Sequence, residues 1–467
     1  MTHPDANEIT PEGTSDDQRA LPGELLNLPI NRAILRLAWP AMLAGMLENI
    51  ASTIDMIMVG RLGVAEIASV GFCAMINWAL GSLGMGLSIA VTAIVARYCG
   101  AGESEKAQQG LACTLTLSVV SSTLVAFAIF GLAPRIMQFF GVEEDVYVLS
   151  VSYLRIIAFN GIFWTGIAVS SGALRGAGDV RTPLYIGVVM NLIHVPLNYI
   201  LIFGKLGFPA LGVDGAAIGT LLSSITAMVM YLYFFHSGLL KLRLSRQDFK
   251  WDSQRARTIF RVALPASLEQ FVLEGGLLIY AKFIVVFGTV ALSGYQVGMQ
   301  VLSLAFIPNQ GFSTAAATLV GQNLGAVRKK EAKRAGWVCL FFGTLSMSLV
   351  GAIGWFNARW ISSIFTNDPA VIEVASAFVR IVAFSQPGMA VFFAMTGALR
   401  GAGDTRSPLI VTIAGMYGVR ITGAWVVTRL LGMGIEPTFS LVIYDYIVRV
   451  VAIVFLYQRG RWLETRL

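Results

Sequence analysis

The sequence predicts an all-α integral membrane protein with about twelve transmembrane helices, arranged in two six-helix lobes that a pseudo-twofold axis relates. The first observation is composition: 56% of the 467 residues are hydrophobic and 13% are charged, whereas soluble domains carry about 25% charged residues. The second is the recurrence of apolar stretches of about 20 residues, which are long enough to cross a bilayer as helices. The third is an internal repeat that covers most of the chain.

The repeat is clearest in two loops. Residues 171–184 read SGALRGAGDVRTPL and residues 396–409 read TGALRGAGDTRSPL, so eleven of fourteen positions are identical. Position 396 of the second copy corresponds to position 171 of the first, and we call the number of residues between corresponding positions the repeat offset. The same offset aligns Pro40 with Pro265. A repeat of this length is too long for a solenoid. In an apolar chain it predicts a two-lobed transporter with a central cavity between the lobes.

The apolar stretches predict twelve helices, six in each copy of the repeat. Their expected positions are 33–59, 67–95, 108–132, 146–170, 182–203, 213–236, 259–283, 290–322, 335–357, 371–396, 407–430 and 438–458. Because an even number of helices returns the chain to its starting side, the two copies are expected to be parallel, with their axis along the membrane normal.

The same pattern predicts five segments along the chain. We expect a disordered cytoplasmic tail over 1–28, an N-lobe over 29–237, a basic cytoplasmic linker over 238–257, a C-lobe over 258–460 and a second cytoplasmic tail over 461–467. The stretch 1–25 is polar and acidic, which argues against a cleavable signal peptide. A single chain that supplies both lobes is expected to act as a monomer.

The distribution of Lys and Arg predicts the orientation. Of the 34 basic residues, 24 fall on the side of the two termini, five on the opposite side and five within helices. By the positive-inside rule both termini are cytoplasmic, in a multi-pass protein of the plasma membrane, the inner membrane of a prokaryote. The net charge of +7 lies in short loops beside the membrane, so we expect contact with anionic lipid and no nucleic-acid partner.

Several chemistries are excluded by the absence of their motifs. There is no GxxxxGK[ST] motif for ATP, no HExxH zinc motif and no nucleophile elbow. The four cysteines and three histidines are dispersed, so neither a disulfide nor a metal site is expected. We therefore predict a protein that is not an enzyme and needs no cofactor, with H⁺ or Na⁺ as its coupling ion.

The first helix carries two acids, Glu48 and Asp55. Because they are seven residues apart, they share nearly one helix face at about 100° per residue. An acid inside a membrane helix is costly unless it is partnered or solvated, so both are candidates for cation coupling. Each could exchange protons, bind Na⁺ or pair with a cationic substrate. The alternative for Asp55 is an interfacial residue near the end of the helix.

The seventh helix carries Glu269 and Glu274. They are five residues apart, about 140° around the helix, so they are not expected to act as one pair. Glu274 lies deeper and is a further candidate for cation coupling. Glu269 is a candidate for the substrate cavity, with a position near the membrane interface as its alternative.

Two further helices carry polar side chains. Asn191, His194 and Asn198 form one stripe of the fifth helix beside Pro196, and Gln296 and Gln300 lie in the eighth helix. An ion path or substrate contacts are predicted for both groups, with His194, Asn198 and the two glutamines assigned to the substrate cavity. The alternative is ordinary hydrogen bonding between packed helices.

The two LRGAGD loops are predicted to act as gates or hinges at the cytoplasmic mouth. Their glycines permit tight turns and close approach of helices. We expect Arg175 to pair with Asp179, and Arg400 with Asp404. Because no strand precedes these loops, they do not match a nucleotide-binding fingerprint.

These residues resemble a known family, the multidrug and toxic compound extrusion (MATE) transporters. The paired LRGAGD loops, DMIMVGRLG at 55–63 and LPASLEQ at 264–270 carry the resemblance, which covers about residues 30–460. It implies an antiporter that exports cationic or amphiphilic drugs or toxic metabolites in exchange for H⁺ or Na⁺, by rocker-switch alternating access.

The resemblance also implies roles for single residues. The coupling acid of the family falls on Asp55, and a fifth-helix asparagine of one branch falls on Asn191, but the aspartate four residues later is Val195 here. In another branch, two acids fall on Leu273, next to Glu274, and on Met389. Because neither acidic pattern is complete, the prediction rests mainly on Asp55.

Two alternatives remain. Lipid-linked oligosaccharide flippases of the same superfamily share the general architecture and need a cationic groove for pyrophosphate, for which Arg155, Arg380 and Arg420 are candidates. A receptor or channel without coupled transport is the other alternative. It predicts that no flux depends on an opposing gradient.

Overall fold

The computed structural model describes residues 24–141, 143–240 and 242–465, and the regular structure in these ranges is helical. A four-residue helix, α1, comes first at Glu24–Asn27. Six long helices come next, which we call the N-terminal bundle: α2 Ile30–Gly60, α3 Val64–Gly100, α4 Ser104–Phe140, α5 Glu144–Gly176, α6 Arg181–Phe203 and α7 Gly212–Ser237.

The second half of the chain forms the C-terminal bundle. Its helices are α8 Ser253–Val285, α9 Thr289–Ala305, α10 Ile307–Gly325, α11 Lys329–Ser363, α12 Pro369–Gly401, α13 Arg406–Leu430 and α14 Ile435–Arg459. Two stretches of α13, Ala414–Ile421 and Val426–Leu430, are wound as π-helix. Short 3₁₀ turns occupy Arg246–Phe249 and Arg461–Glu464.

The all-α membrane fold is confirmed. Within the described ranges, eleven helices are long and apolar enough to span a bilayer, and the pair α9 and α10 brings the number to twelve if it is one bent span. This pair is bent by 41° between Ala305 and Ile307, two residues before Pro308. Proline disfavours helical geometry in the residue before it and donates no backbone hydrogen bond, so a helix tends to end and restart there.

The predicted segment boundaries need three corrections. The end of the predicted first tail forms the helix α1, and its Leu25 is buried. Residues 1–23 lie outside the described ranges. The predicted linker ends early, because α8 begins at Ser253. The predicted second tail begins with a 3₁₀ turn in which Trp462 is buried and its Nε1 donates to the Tyr457 carbonyl oxygen at 2.8 Å, whereas Arg466 and Leu467 lie outside the described ranges.

The two bundles share one packing scheme. In the N-terminal bundle α5 packs against α3, α4 and α7, and α6 packs against α2 and α7. In the C-terminal bundle α12 packs against α10, α11 and α14, and α13 packs against α8 and α14. Each helix thus has the neighbours of its counterpart at the repeat offset, as the internal repeat predicts.

The bundles meet at one end of the molecule, which we call the closed end. Glycines permit the contact, because a side chain at Gly100 would collide with the backbone of Gln322, and one at Gly325 with the carbonyl of Arg97. Small residues commonly allow membrane helices to approach this closely. Gly100 and Gly325 are repeat equivalents, so the two bundles make matching contacts here.

Hydrogen bonds reinforce the closed end. The Gln322 amide donates to the Gly176 carbonyl oxygen at 3.0 Å, and the Thr318 hydroxyl donates to the Arg175 carbonyl oxygen at 2.9 Å. The opposite halves of α2 and α8 carry exposed apolar side chains, among them Met46 and Phe271. We therefore expect the cavity that the repeat predicts between the bundles to open away from the closed end.

Candidate cation-coupling site

Asp55 lies in a polar cluster that three helices of the N-terminal bundle build. The Asn198 amide of α6 donates to Asp55 Oδ1 of α2 at 2.8 Å, and His194 Nε2 lies 3.4 Å from Asp55 Oδ2. Asn198 Nδ2 is also 2.7 Å from His194 Nε2, and the Thr220 hydroxyl of α7 is 3.4 Å from the same nitrogen. We call these four residues the Asp55 cluster.

Burial differs sharply within the Asp55 cluster. Asn198 is fully buried and His194 is 5% exposed, whereas 29% of the Asp55 side chain is exposed. His194 and Asn198 are four residues apart, so successive turns of α6 present both on one face. The carboxylate is thus partly exposed while a buried imidazole and a buried amide hold it from behind, which is an arrangement suited to taking up and releasing a small cation.

The hydrogen bonding of the cluster leaves one acceptor unused. The Asn198 amide nitrogen faces both Asp55 and His194, but its amide oxygen is buried without a partner. A carboxamide that makes a half-turn about its last bond keeps nearly the same shape and exchanges its donor for its acceptor. Asn198 can therefore donate to an ionised carboxylate, or accept from a protonated one after turning.

The composition of the cluster disfavours a dedicated metal site. Hard cations prefer several oxygen ligands, and here the Asp55 carboxylate and the Thr220 hydroxyl have an imidazole nitrogen between them. Among the described residues, no group of three or more His, Cys, Asp or Glu side chains could hold a metal ion.

Two other candidates for cation coupling, Glu48 and Asn191, are placed apart from this cluster. Glu48 is exposed and interacts electrostatically with Arg175. Asn191 does not join Asp55: its amide donates to the Gly187 carbonyl oxygen at 3.0 Å within α6. Asn191 lies on the same face of α6 as Asn198, but it is seven residues away, which is about 10 Å along the helix axis.

The candidates in the C-terminal bundle divide into two kinds. Glu274 is partly buried, and Gln296 and Gln300 are exposed, which suits side chains that line a cavity. The sequence predicts Glu269 in the substrate cavity, but it is 3% exposed and its Oε2 is 2.8 Å from Arg400 Nη2. The Thr412 hydroxyl donates to the other carboxylate oxygen of Glu269 at 3.3 Å. Glu269 therefore forms a buried structural ion pair with Arg400.

The predicted ion pairs within the LRGAGD loops are wrong. Asp179 instead caps α6, where it accepts from the backbone nitrogens of Arg181 and Thr182 at 3.1 and 3.0 Å. Asp404 caps α13 in the same way, accepting from Ser407 at 3.1 Å. A carboxylate saturates unpaired amides at a helix start more readily than it reaches back to a long side chain. Arg175 donates to the Ser88 hydroxyl at 3.1 Å.

Sequence reasoning missed a second charged cluster, in the C-terminal bundle. Two arginines there contact one carboxylate: Arg420 Nη2 is 2.6 Å from Asp445 Oδ2, and Arg449 Nε is 2.5 Å from Oδ1. The Arg420 guanidinium also lies over the Tyr280 ring, 5.8 Å from its centroid. We call these four residues the Arg420 cluster.

The Arg420 cluster is the repeat counterpart of the Asp55 cluster. The repeat offset aligns Asp55 with Tyr280, and Thr220 with Asp445. The loops and the prolines reveal this offset, and two of the four positions of the Asp55 cluster keep it. The constant offset was therefore the signal that could have identified both Thr220 and the second cluster.

Comparison with known proteins agrees with this geometry. The MatE family model matches residues 40–200 and 265–426, one segment in each half of the chain. The chain is 31% identical over 438 residues to the probable multidrug resistance protein NorM of Thermotoga maritima, covering 93% of each sequence. It is 26% identical over 424 residues to the multidrug resistance protein MdtK of Yersinia pestis, covering 89% of this chain and 88% of that protein.

Two solved structures have the same fold. One is an outward-facing multidrug resistance MATE family transporter, and the other is a transporter of the MOP superfamily from Pyrococcus furiosus. Each has a TM-score of 0.89 at 20% identity and covers 96% of this chain and all of its own. At that level of identity the likeness concerns the fold alone.

Proposed function

The chain belongs to the MatE family, and from this premise we propose that it is a secondary antiporter that exports cationic or amphiphilic compounds in exchange for protons carried by the Asp55 cluster. The observation that carries the proposal is one partly exposed carboxylate held by buried neutral partners. The relatives named as multidrug resistance proteins support the class of substrate.

Protons fit the cluster better than Na⁺ does. A sodium ion at Asp55 would need further oxygen ligands, yet His194 Nε2 stands 3.4 Å from one carboxylate oxygen. A proton needs only one acceptor, and the turn of the Asn198 amide would satisfy both protonation states.

The exchange follows from competition for negative charge. Ionised Asp55 faces the open cavity and attracts a cationic substrate, together with Glu48 and Glu274. A proton from the open side neutralises Asp55, weakens that attraction and releases the substrate. Exposed apolar side chains of the cavity, such as Met46, would suit varied drugs because methionine adapts to irregular shapes.

Transport also requires the closed end to open. We propose that the two bundles rock as bodies, so that the contacts of Gly100 and Gly325 separate while the opposite ends meet. Protonation drives this change only if the two conformations bind the proton with different affinity. The positive-inside rule makes the closed end cytoplasmic, with both termini on that side and the cavity open to the outside.

The flippase alternative has little support. Of its candidate arginines, Arg420 is buried in an ion pair with Asp445, and Arg155 donates to the Phe130 carbonyl oxygen at 3.3 Å and packs on that ring. Arg420 is therefore not free to bind a pyrophosphate, Arg155 is held against Phe130, and Arg380 alone of the three is exposed.

Ethidium efflux from proteoliposomes tests the proposal. A pH gradient and a Na⁺ gradient are imposed separately on wild type, on Asp55→Asn and on a control, Glu436→Gln, which removes an exposed carboxylate at the start of α14. We expect efflux in wild type and the control under the pH gradient, and none in Asp55→Asn. Efflux that follows the Na⁺ gradient alone, or that persists in Asp55→Asn, would refute the proton-coupled mechanism.

A further inference from the structure

A second recess lies outside the central cavity, at the closed end of the N-terminal bundle. It has a volume of about 450 Å³ and is bounded by the start of α6, the LRGAGD loop before it, the first part of α2 and the end of α7. We call it the α6 cleft. The Asp55 cluster is on a different part of α6, so the proposed antiport does not use the cleft.

Two arginines face the α6 cleft. Arg36 comes from α2 and Arg181 is the first residue of α6, and both are partly exposed. In the described part of the chain, no hydrogen bond or ion pair is formed by either guanidinium. The carboxylate beside them, Asp179, is occupied by the backbone nitrogens of α6 and by the Thr182 hydroxyl at 2.6 Å. Among the described residues, the cleft therefore presents two guanidiniums without an ion-pair partner, beside one carboxylate whose oxygens are already hydrogen-bonded to α6.

The rest of the cleft wall is apolar. Phe234, Leu239 and Leu240 line it from the end of α7 and the turn after it. Tyr185 lies at its edge and is 64% exposed. A soluble anion gains nothing from such a wall, whereas a molecule with a phosphate group and an acyl chain uses both the charged and the apolar parts.

The apolar surface continues from the cleft along the outside of α6. Tyr185, Leu192 and Tyr199 are exposed at intervals of seven residues, so they form one stripe. At about 100° per residue this stripe points away from His194 and Asn198. An exposed apolar stripe on a membrane-spanning helix is a face turned to lipid, and here it leads directly from the two arginines.

The height of the cleft fits a lipid headgroup. Arg181 begins α6, and Arg36 lies six residues inside α2, about 9 Å from its start. Arginine near a helix end reaches the interface between hydrocarbon and water, where lipid phosphates lie. The positive-inside rule assigns this end to the cytoplasmic leaflet, which attracts basic side chains through its anionic lipids.

We propose that the α6 cleft binds an anionic phospholipid of the cytoplasmic leaflet, with the phosphate between Arg36 and Arg181 and an acyl chain along the stripe of α6. The guanidinium fork suits a phosphate because it offers two parallel donors. The repeat equivalents, Arg261 and Arg406, are exposed in the C-terminal bundle and provide a matched control.

The test measures lipid binding by the purified full-length chain. Thermal unfolding and native mass spectrometry are recorded in detergent as dioleoylphosphatidylglycerol or dioleoylphosphatidylcholine is added. We compare wild type, Arg36→Gln/Arg181→Gln and the control Arg261→Gln/Arg406→Gln. Wild type and the control should bind phosphatidylglycerol preferentially, and the cleft variant should bind it more weakly by about fivefold for each arginine removed.

Further arms separate the possible occupants. Inorganic phosphate and glycerol 3-phosphate should not reproduce the stabilisation; if they do, the cleft binds free phosphate and the lipid proposal is overturned. The acidic N-terminal stretch 1–20 is another possible occupant. If it fills the cleft, a chain lacking residues 2–20 will have the same unfolding temperature as the cleft variant, and phosphatidylglycerol will not raise the unfolding temperature of either chain. That result would overturn the lipid proposal.

A poorly folded double variant does not prevent the test. Arg36→Lys/Arg181→Lys keeps both charges but removes the forks, and should retain part of the preference for phosphatidylglycerol. In wild type, photoactivatable phosphatidylglycerol should label peptides that contain Tyr185 or Leu239. Labelling confined to the C-terminal bundle, or a cleft variant that binds phosphatidylglycerol as wild type does, would overturn the proposal.

Discussion

The two polar clusters occupy equivalent positions in the two bundles but differ in chemistry. In the Asp55 cluster, one partly exposed carboxylate has neutral partners, His194, Asn198 and Thr220. In the Arg420 cluster, the carboxylate of Asp445 is fully buried between two guanidiniums. We therefore expect the first cluster to gain and lose a cation, whereas in the second the guanidiniums of Arg420 and Arg449 already neutralise the carboxylate.

This difference indicates how a duplicated scaffold can acquire asymmetry. Where α2 supplies Asp55, α8 supplies Tyr280, whose ring covers Arg420 at 5.8 Å. Where α7 supplies Thr220, α14 supplies Asp445. In the C-terminal bundle the carboxylate is on α14 and not on α8, and two arginines lie beside it. A permanent positive charge thus takes the place of an exchangeable cation. We infer that coupling belongs to the N-terminal bundle alone.

The π-helical turns of α13 explain how Arg420 reaches its place. The repeat offset would align His194 with Val419, but Arg420 is the residue that faces the cluster. A π turn inserts one residue into an α-helix and rotates the part of the helix after it.

The largest expected effect is on folding, through Asp445→Asn. Removal of this carboxylate leaves Arg420 and Arg449 buried without an opposite charge, which costs about 3–5 kcal/mol. Asp55→Asn should change stability little, because asparagine can still hydrogen-bond to Asn198 and the side chain is partly exposed. Thermal unfolding of both variants in detergent checks this. Equal losses of stability in Asp445→Asn and Asp55→Asn would contradict the difference between the two clusters.

The next effect concerns the closed end, where the bundles are alike. Gly100→Ala and Gly325→Ala each place a methyl group against the backbone of the other bundle, so both should open the closed end and reduce efflux to a similar degree. Gly131→Ala is the control, since nothing lies within 4 Å of its added carbon. Accessibility of a cysteine introduced at the closed end reports the opening; an effect at only one of the two glycines would contradict the symmetry.

A smaller effect is expected from His194→Gln. Glutamine can still hydrogen-bond to Asp55 but does not reproduce the contacts of the imidazole with Asp55, Asn198 and Thr220, so efflux at a fixed pH gradient should fall by about tenfold, the factor that about 1.4 kcal/mol represents. Efflux is recorded over a series of external pH values to give the pH profile. The control is His236→Gln at the exposed end of α7. An unchanged profile in His194→Gln would assign proton exchange to Asp55 alone.

The smallest effect is expected from Glu274→Gln. This carboxylate lies in the C-terminal bundle outside the Arg420 cluster. Its removal takes away one solvent-screened attraction for the drug, so the variant should raise the KM for a monocationic drug by about threefold. The dependence of transport on the pH gradient should stay as in wild type. Efflux of a cationic and a neutral substrate is compared, and a loss of proton dependence would place a coupling acid in both bundles.

Sequence reasoning predicted the fold more fully than the site. Hydropathy and the repeat predicted the helices, and the cost of a charge in the membrane identified Asp55 as a candidate. Periodicity selected the polar face of α6 but not the height at which it meets α2. The resemblance to the family assigned Asn191 to coupling, whereas Asn198 is the residue that contacts Asp55. The pair Glu269–Arg400 was missed because its members lie in helices that are distant along the chain.

The sequence by itself determined the features that depend on local composition: which segments are helices, how many there are, that the two halves repeat, and that the charge favours one side of the membrane. Only the tertiary structure decided which polar groups meet. Membrane helices resemble one another in hydropathy, so their pairing depends on the fit of small residues such as Gly100 and Gly325 and on the extra residue of a π turn. Those features fix the distances on which coupling at Asp55 and neutralisation at Asp445 depend.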